Sequence, residues 1–251
     1  MAIEHRFGPE KAAYVAFRPG YPDSLFQQIT DALDAPRLKA IDLGAGTGLS
    51  TAPLCSRFED VVAVEPDPEM AEELRRAAPA ARVLEVPAEE FPESLGPVDL
   101  VTAANAFYWM DGPVVSEKVA RTLRPGGRFA VYRHRVPEFS PALQDIFTYE
   151  MDNHWGQFRH KRLVDEEYSF RVIESCGHFQ HVKRQVLSQQ ISFEASKLVG
   201  YLRSTSFGSA YVRTLSDPEA YLVDLGQRLR TAAGGSPFPM NVRIELILAR
   251  K

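Results

Sequence analysis

Residues 42–48 read Asp42-Leu43-Gly44-Ala45-Gly46-Thr47-Gly48, with a short apolar run over residues 38–43 leading in and the stretch LSTAPLCSRF leading out. Apolar run, glycines and helix-forming stretch together spell strand, tight turn, helix. Glycine lets the backbone turn sharply and approach a ligand with no Cβ in the way, and the first turn of the following helix offers unpaired N–H groups. A dinucleotide fingerprint would need G-x-G-x-x-G. Here the third residue after Gly46 is Leu49 and the glycines fall as G-x-G-x-G, which weakens the pyrophosphate reading. Glu65 stands seventeen residues after Gly48, at the carboxyl end of VVAVE. An acidic group there can accept hydrogen bonds from both hydroxyls of a ribose, so turn and carboxylate together point to an adenosine-type ligand.

Working outward, the alternation repeats. VVAVE reads as a second strand, PDPEMAEELRRAAP as a helix capped by Asp67, ARVLEVP as a third strand and VDLVTAANAF as a fourth. PVVSEKVARTL follows as a helix and GGRFAVYRH as a fifth strand. Strands alternating with helices at this spacing predict an α/β fold with a doubly wound, mostly parallel sheet covered on both faces. Upstream, RPGYPDSL precedes a helix through FQQITDALD, with Asp23 or Ser24 as cap. Downstream of Pro137 the rhythm breaks. SPALQDIFTYEMDNHW, DEEYSFRVIESCGHF, FEASKLVGYLRSTS and DPEAYLVDLGQRLRTA read as helices, and QHVKRQVLSQQISF and NVRIELILARK as strands. The expectation is one domain over residues 1–251 with a seven-stranded sheet whose last strand is antiparallel. Residues 1–37 form an amino-terminal helical segment, 38–135 a cofactor-binding core, 136–235 a cap over the acceptor and 236–251 the terminal strand.

Composition narrows the function classes. The chain is 45% hydrophobic and 25% charged with a formal net charge of -4, ordinary for a globular protein and without the basic footprint of a nucleic-acid binder. No run approaches the roughly twenty apolar residues that span a bilayer, and MAIEHRFGPEKAAY lacks the apolar centre of a secretory signal, so a cytoplasmic location is expected. Two distant cysteines, Cys55 and Cys176, make neither a disulfide framework nor a metal knuckle, and no His, Asp and Glu constellation has ligand spacing. No nucleophile elbow is present. Oligomeric state is not legible.

At this point the chain resembles the class I S-adenosylmethionine-dependent methyltransferases, and most the methyltransferase type 11 small-molecule branch that includes trans-aconitate methyltransferase-like enzymes. The matching residues are Ile41 through the glycine turn, Glu65, the third-strand pattern of Ala88, Glu89 and Pro92, VDLVTAANAFYWMD, the LRPGG turn, and Tyr14 with RPGYP. The resemblance implies S-adenosyl-L-methionine as cofactor and a role for each position. Gly44, Ala45 and Gly46 would pass the methionine part, with Asp42 organising the loop beneath them. Glu65 would hold the ribose, Pro66 and Asp67 would line the adenine, and Ala88 and Glu89 would address its edge. Asn105 would face the methionine chain, and Tyr14 and Arg18 would close the pocket, Arg18 by a charge-assisted bond to the cofactor carboxylate.

Because the cofactor brings an activated methyl on a positive sulfur, the protein's task is placement and exclusion of water. Acceptor-side candidates lie at the carboxyl ends of the strands: Tyr108, beside Phe107 and Trp109, then Arg133 as an anion clamp, and His134. Relatives commonly carry histidine where this chain has Tyr108, so that position shapes the pocket or orients the acceptor instead of titrating near neutrality. The expected activity is methyl transfer to a small-molecule acceptor by in-line displacement. The competing readings are an NAD-dependent oxidoreductase and a non-catalytic S-adenosylmethionine-binding module.

Overall fold

The computed structural model describes residues 17–34, 37–235 and 237–251. Its centre is a seven-stranded sheet in the order β3-β2-β1-β4-β5-β7-β6. The strands are β1 Lys39–Leu43, β2 Asp60–Val64, β3 Arg82–Leu84, β4 Val98–Ala104, β5 Leu123–His134, β6 Gln180–Phe193 and β7 Phe238–Arg250. β1 to β5 run parallel, and β7 runs antiparallel to both β5 and β6.

The central strands are apolar throughout because both faces are covered. Ala130 and Tyr132 of β5 join one cluster with Leu25, Phe26 and Ile29, whereas Phe129 and Val131 join the other with Ile41, Val62 and Val101. The first cluster packs α1, Asp23–Asp31, and the cap helices. The second packs α4, Gly112–Thr122. Between α1 and α4 in the chain come α2, Thr51–Cys55, and α3, Pro68–Ala77. α3 shows how local sequence sets an element. Asp67 accepts from the N–H groups of Glu69 and Met70, Pro68 takes a first-turn position, and Met70, Ala71 and Leu74 form the buried face. Full burial of a side chain such as Leu74 contributes about 1.5–3 kcal/mol.

The strand order reverses between β1 and β4, which opens a crevice at their carboxyl ends, where ligands bind in such sheets. Over it lies the cap. α5, Pro141–Glu150, continues into a π-helical turn, Met151–Trp155, followed by α6, Lys161–Val164, and α7, Tyr168–Ser175. After β6 come α8, Ala195–Arg203, α9, Ser206–Val212, and α10, Pro218–Ala233. Glu150, fully buried, accepts from Tyr221 Oη at 2.5 Å and pairs with Arg228 at 2.9 Å, tying α5 to α10.

Element types agree with the sequence expectations, and the differences are local. The helix expected after RPGYPDSL begins at Asp23 itself, with Pro22 before it and no side-chain cap. The helix after the glycines shrinks to Thr51–Cys55 because residues 45–50 stay in the turn. β4 stops at Ala104, since Asn105 takes a left-handed conformation, φ 52°. The single helix expected over 140–155 changes pitch at Met151 and buries Trp155. α6 and α9 had no counterpart in the sequence reading.

Candidate active site

The three glycines of the turn all have positive φ, 61°, 57° and 89°, but each answers a different need. At Gly44 a Cβ would lie 2.6 Å from that of Ala106, so the turn closes against β4's exit only without one. At Gly48 it would meet Leu74 and Ala77 of α3 at 3.1 and 3.2 Å. At Gly46 it would meet nothing within 4 Å, and that open side is where a ligand can lie on the backbone. Beneath the turn, buried Asp42 accepts from Thr51 Oγ1 at 2.7 Å and Thr102 Oγ1 at 2.6 Å. The carboxylate thereby fixes α2 and β4 to β1 from inside, and burial pushes its pKa up against those hydrogen bonds.

Glu65 closes the turn from β2. Its Oε2 accepts from the Gly46 N–H at 2.8 Å and its Oε1 from the Asp67 N–H at 2.9 Å. Only 7% of the residue is exposed, and burial pushes its pKa up to about 7 although both backbone donors pull it down. A carboxylate oxygen accepts more than one hydrogen bond, so both remain competent to receive a diol. Farther along the same edge, Ala88 is buried and Pro66 exposed. Glu89 accepts from the Asp111 N–H through Oε1 at 2.7 Å and from Lys118 Nζ through its backbone carbonyl at 2.7 Å.

Across the crevice, Asn105 joins three elements. The His134 backbone N–H donates to Asn105 Oδ1 at 2.9 Å, which fixes the orientation of the amide. Asn105 Nδ2 therefore faces Tyr21 Oη at 2.8 Å and His134 Nδ1 at 3.1 Å. Nδ2 is a donor, so Nδ1 accepts and the imidazole proton sits on Nε2, which is buried beside the Gly20 backbone. Tyr21 stacks on the ring with centroids 4.6 Å apart. Burial, helped by the Arg18 charge, pulls the His134 pKa down to about 3, so the ring is neutral at any physiological pH.

A pocket of about 220 Å³ opens beside Asn105 and His134, bounded by Tyr108, Phe147, Tyr201 and Phe207. Arg18 lines it and donates to the Ser204 carbonyl at 2.9 Å. The structure thus places Arg18 against the cap. Arg133 is held by Glu245, Nε to Oε2 at 2.6 Å, and its other nitrogens meet the carbonyls of Leu163 and Glu166 at 3.2 and 3.4 Å. These bonds occupy the guanidinium expected to clamp an anion. Tyr14 lies outside the described residues.

The chain matches the methyltransferase domain family over residues 41–131. Over 99% of its length it is 27% identical to a Dictyostelium discoideum protein assigned as a methyltransferase, of which it covers 96%. An uncharacterized methyltransferase of Mycobacterium tuberculosis is 43% identical over 125 residues, half of each chain. The solved structure of a protein described as a type II methyltransferase from Anaeromyxobacter dehalogenans superposes with a TM-score of 0.72 at 25% identity, covering 93% of this chain and 97% of that one. This chain is an S-adenosylmethionine-dependent methyltransferase.

The methyltransferase's crevice fits its cofactor. The open backbone at Gly46 and the diol-competent carboxylate of Glu65 lie on one side of the switch point, and Asn105 lies on the other. Among the described residues, no group of three His, Cys, Asp or Glu side chains could hold a metal ion, and no helix is long and apolar enough to cross a membrane. The sequence reading missed Tyr21, although it quoted the surrounding RPGYP, because nothing local says that a loop tyrosine will reach a strand end eighty-four residues on. It also missed Arg159, in a stretch with no motif at all.

Proposed function

We propose that this enzyme transfers the methyl group of S-adenosyl-L-methionine to a small-molecule acceptor seated in the pocket between the end of β5 and the cap helices. The observation that carries this reading is that pocket: about 220 Å³, adjoining Asn105 and walled by aromatic side chains, a concave site of the kind that takes small molecules. The cofactor supplies an electrophilic methyl on a cationic sulfur.

This chain's residues bind and orient. In our assignment the Gly44, Ala45 and Gly46 backbone passes the methionine part over the platform organised by Asp42. Glu65 accepts from the ribose hydroxyls, Pro66, Ala88 and Glu89 bound the adenine, and Asn105 presents its amide to the methionine chain. Arg18 belongs to the segment that covers the site. Tyr108 orients the acceptor. His134 is a positioning residue that holds the Asn105 amide, because a neutral ring with its pKa near 3 is a poor base at pH 7. Arg133 braces β5 against β7 through Glu245 and against α6 through the Leu163 carbonyl. Residues 136–235 then roof the acceptor, and the whole chain works as one catalytic unit. Incubation with methyl-labelled cofactor and a small-molecule metabolite extract tests the reading. Label should enter a compound of low mass. Label entering only protein or nucleic acid, when these are added in parallel, would overturn it.

A further inference from the structure

The acceptor pocket is lined by five arginines, Arg18, Arg133, Arg135, Arg159 and Arg243, against one carboxylate, Glu166. Most of these guanidiniums are already engaged. Arg133 is bound to Glu245, Arg135 to Glu166, and Arg243 to Glu138 at 2.8 Å, while Arg18 is bound to the Ser204 carbonyl. Arg159 differs from all of them. Among the described residues its side chain makes no hydrogen bond or ion pair, and its Nε is buried without a partner. It follows the short helical turn Gly156–Phe158, which carries on from the π-helical turn at the end of α5. The cap thus delivers it to the pocket wall opposite the strand ends. Arg133 adds like charge nearby, and Glu166, the one acid lining the pocket among the described residues, pairs with Arg135 and attracts Arg159 only at a distance.

Arg159 is half-buried, but its Nε–H is shut off from water with no acceptor in reach, and a buried unsatisfied N–H is costly unless a partner arrives. No arginine can relieve that cost by losing its proton. The chemistry that removes it is an anion with two or more acceptor oxygens, which a planar guanidinium meets bidentately. We infer that the methyl acceptor carries a carboxylate or phosphate on an apolar body, and that Arg159 is the residue that pairs with that anion. The apolar body follows from Phe147, Phe207, Val136 and Leu163, which share the wall. This inference rests on the acceptor pocket proposed above and specifies what fills it.

The test uses the full chain saturated with S-adenosylhomocysteine, titrated calorimetrically with phenylacetate, phenyl phosphate and the neutral isostere phenylacetamide. Wild type should bind at least one anion at least tenfold more tightly than the amide, and the better of the two identifies the anion class. Arg159→Gln should erase that preference, and Arg159→Lys should restore part of it, while both keep the wild-type affinity for S-adenosylhomocysteine. Equal binding of anion and amide by wild type, no binding of either anion, or an anion preference that survives Arg159→Gln would overturn the inference. Failure of wild type to bind S-adenosylhomocysteine would instead count against the cofactor site, which keeps the two outcomes apart.

Discussion

Glu65 sets two properties of this enzyme against each other, and pH separates them. In the free protein its carboxyl titrates at about 7 because burial outweighs the Gly46 and Asp67 donors. On the proposed assignment the ribose hydroxyls donate to this carboxylate and favour its charged form, so in the complex its pKa falls. Cofactor affinity is therefore complete above pH 7 and declines as pH falls through that value. About nine-tenths of the carboxyl is ionised at pH 8 and about one-tenth at pH 6, which makes binding roughly tenfold weaker at the lower pH. Stability runs the other way. A carboxyl whose pKa is higher folded than unfolded stabilises the protein fully below the unfolded value, and the contribution is lost as pH rises through the folded one. From the ordinary glutamate value of 4.5 to about 7, the loss is about 3 kcal/mol at most. Glu65→Gln lacks the titration. Its affinity for S-adenosylhomocysteine should be low and independent of pH, and without ligand its stability relative to wild type should climb steadily from pH 4.5 to pH 8. Calorimetric titration and denaturant unfolding across that range measure both. A wild-type affinity that does not change between pH 6 and pH 8, or a stability gap that stays constant, would refute the reasoning.

Other residues make sharper single-site predictions. Gly44→Ala combines a positive φ with a Cβ at 2.6 Å from Ala106 and should cost about 2–4 kcal/mol of unfolding free energy, seen as a lower denaturation midpoint even without cofactor. Arg133→Met should act on stability and not on acceptor binding. It leaves Glu245 with Arg184 and Arg135 only, so about 2 kcal/mol is lost, less than for an acid left with no partner, and affinity for S-adenosylhomocysteine is unchanged. The pH profile of kcat should show no inflection assignable to His134 between pH 5 and pH 9, because its pKa is pulled down to about 3. An inflection near 6.5 that His134→Gln removes would contradict the neutral-ring assignment.

The sheet and the glycine turn were legible in the sequence because their signals are short-range. LGAGTG needs only its own glycines, VVAVE its own apolar run, and Asp67 caps the helix that it begins. What stayed hidden depends on contacts between distant segments. Arg133 looked like a free clamp at a strand end, but its partner Glu245 arrives on β7 by antiparallel pairing, where the two are register partners. Arg159 stands among several basic residues in RHKR with nothing local to single it out, and only the turn after α5 brings it to the pocket. The helix expected over 140–155 has an apolar pattern that does not reveal the change of pitch at Met151, because Trp155 is drawn into the cap by packing with Phe147 and Phe207.

One backbone N–H decides which way the Asn105 amide faces, and the nitrogen so oriented tethers the Tyr21 loop and sets the imidazole tautomer together. Deamidation at this residue, which exchanges NH2 for a second oxygen, would leave the His134 backbone contact intact while withdrawing both hydrogens from the other side. The tyrosine would then have to turn its own proton inward, and the imidazole would have to shift its proton to Nδ1 to face the new oxygen. Chemical ageing at a single side chain would thus rewire the junction of β4, β5 and the Tyr21 loop without moving a strand.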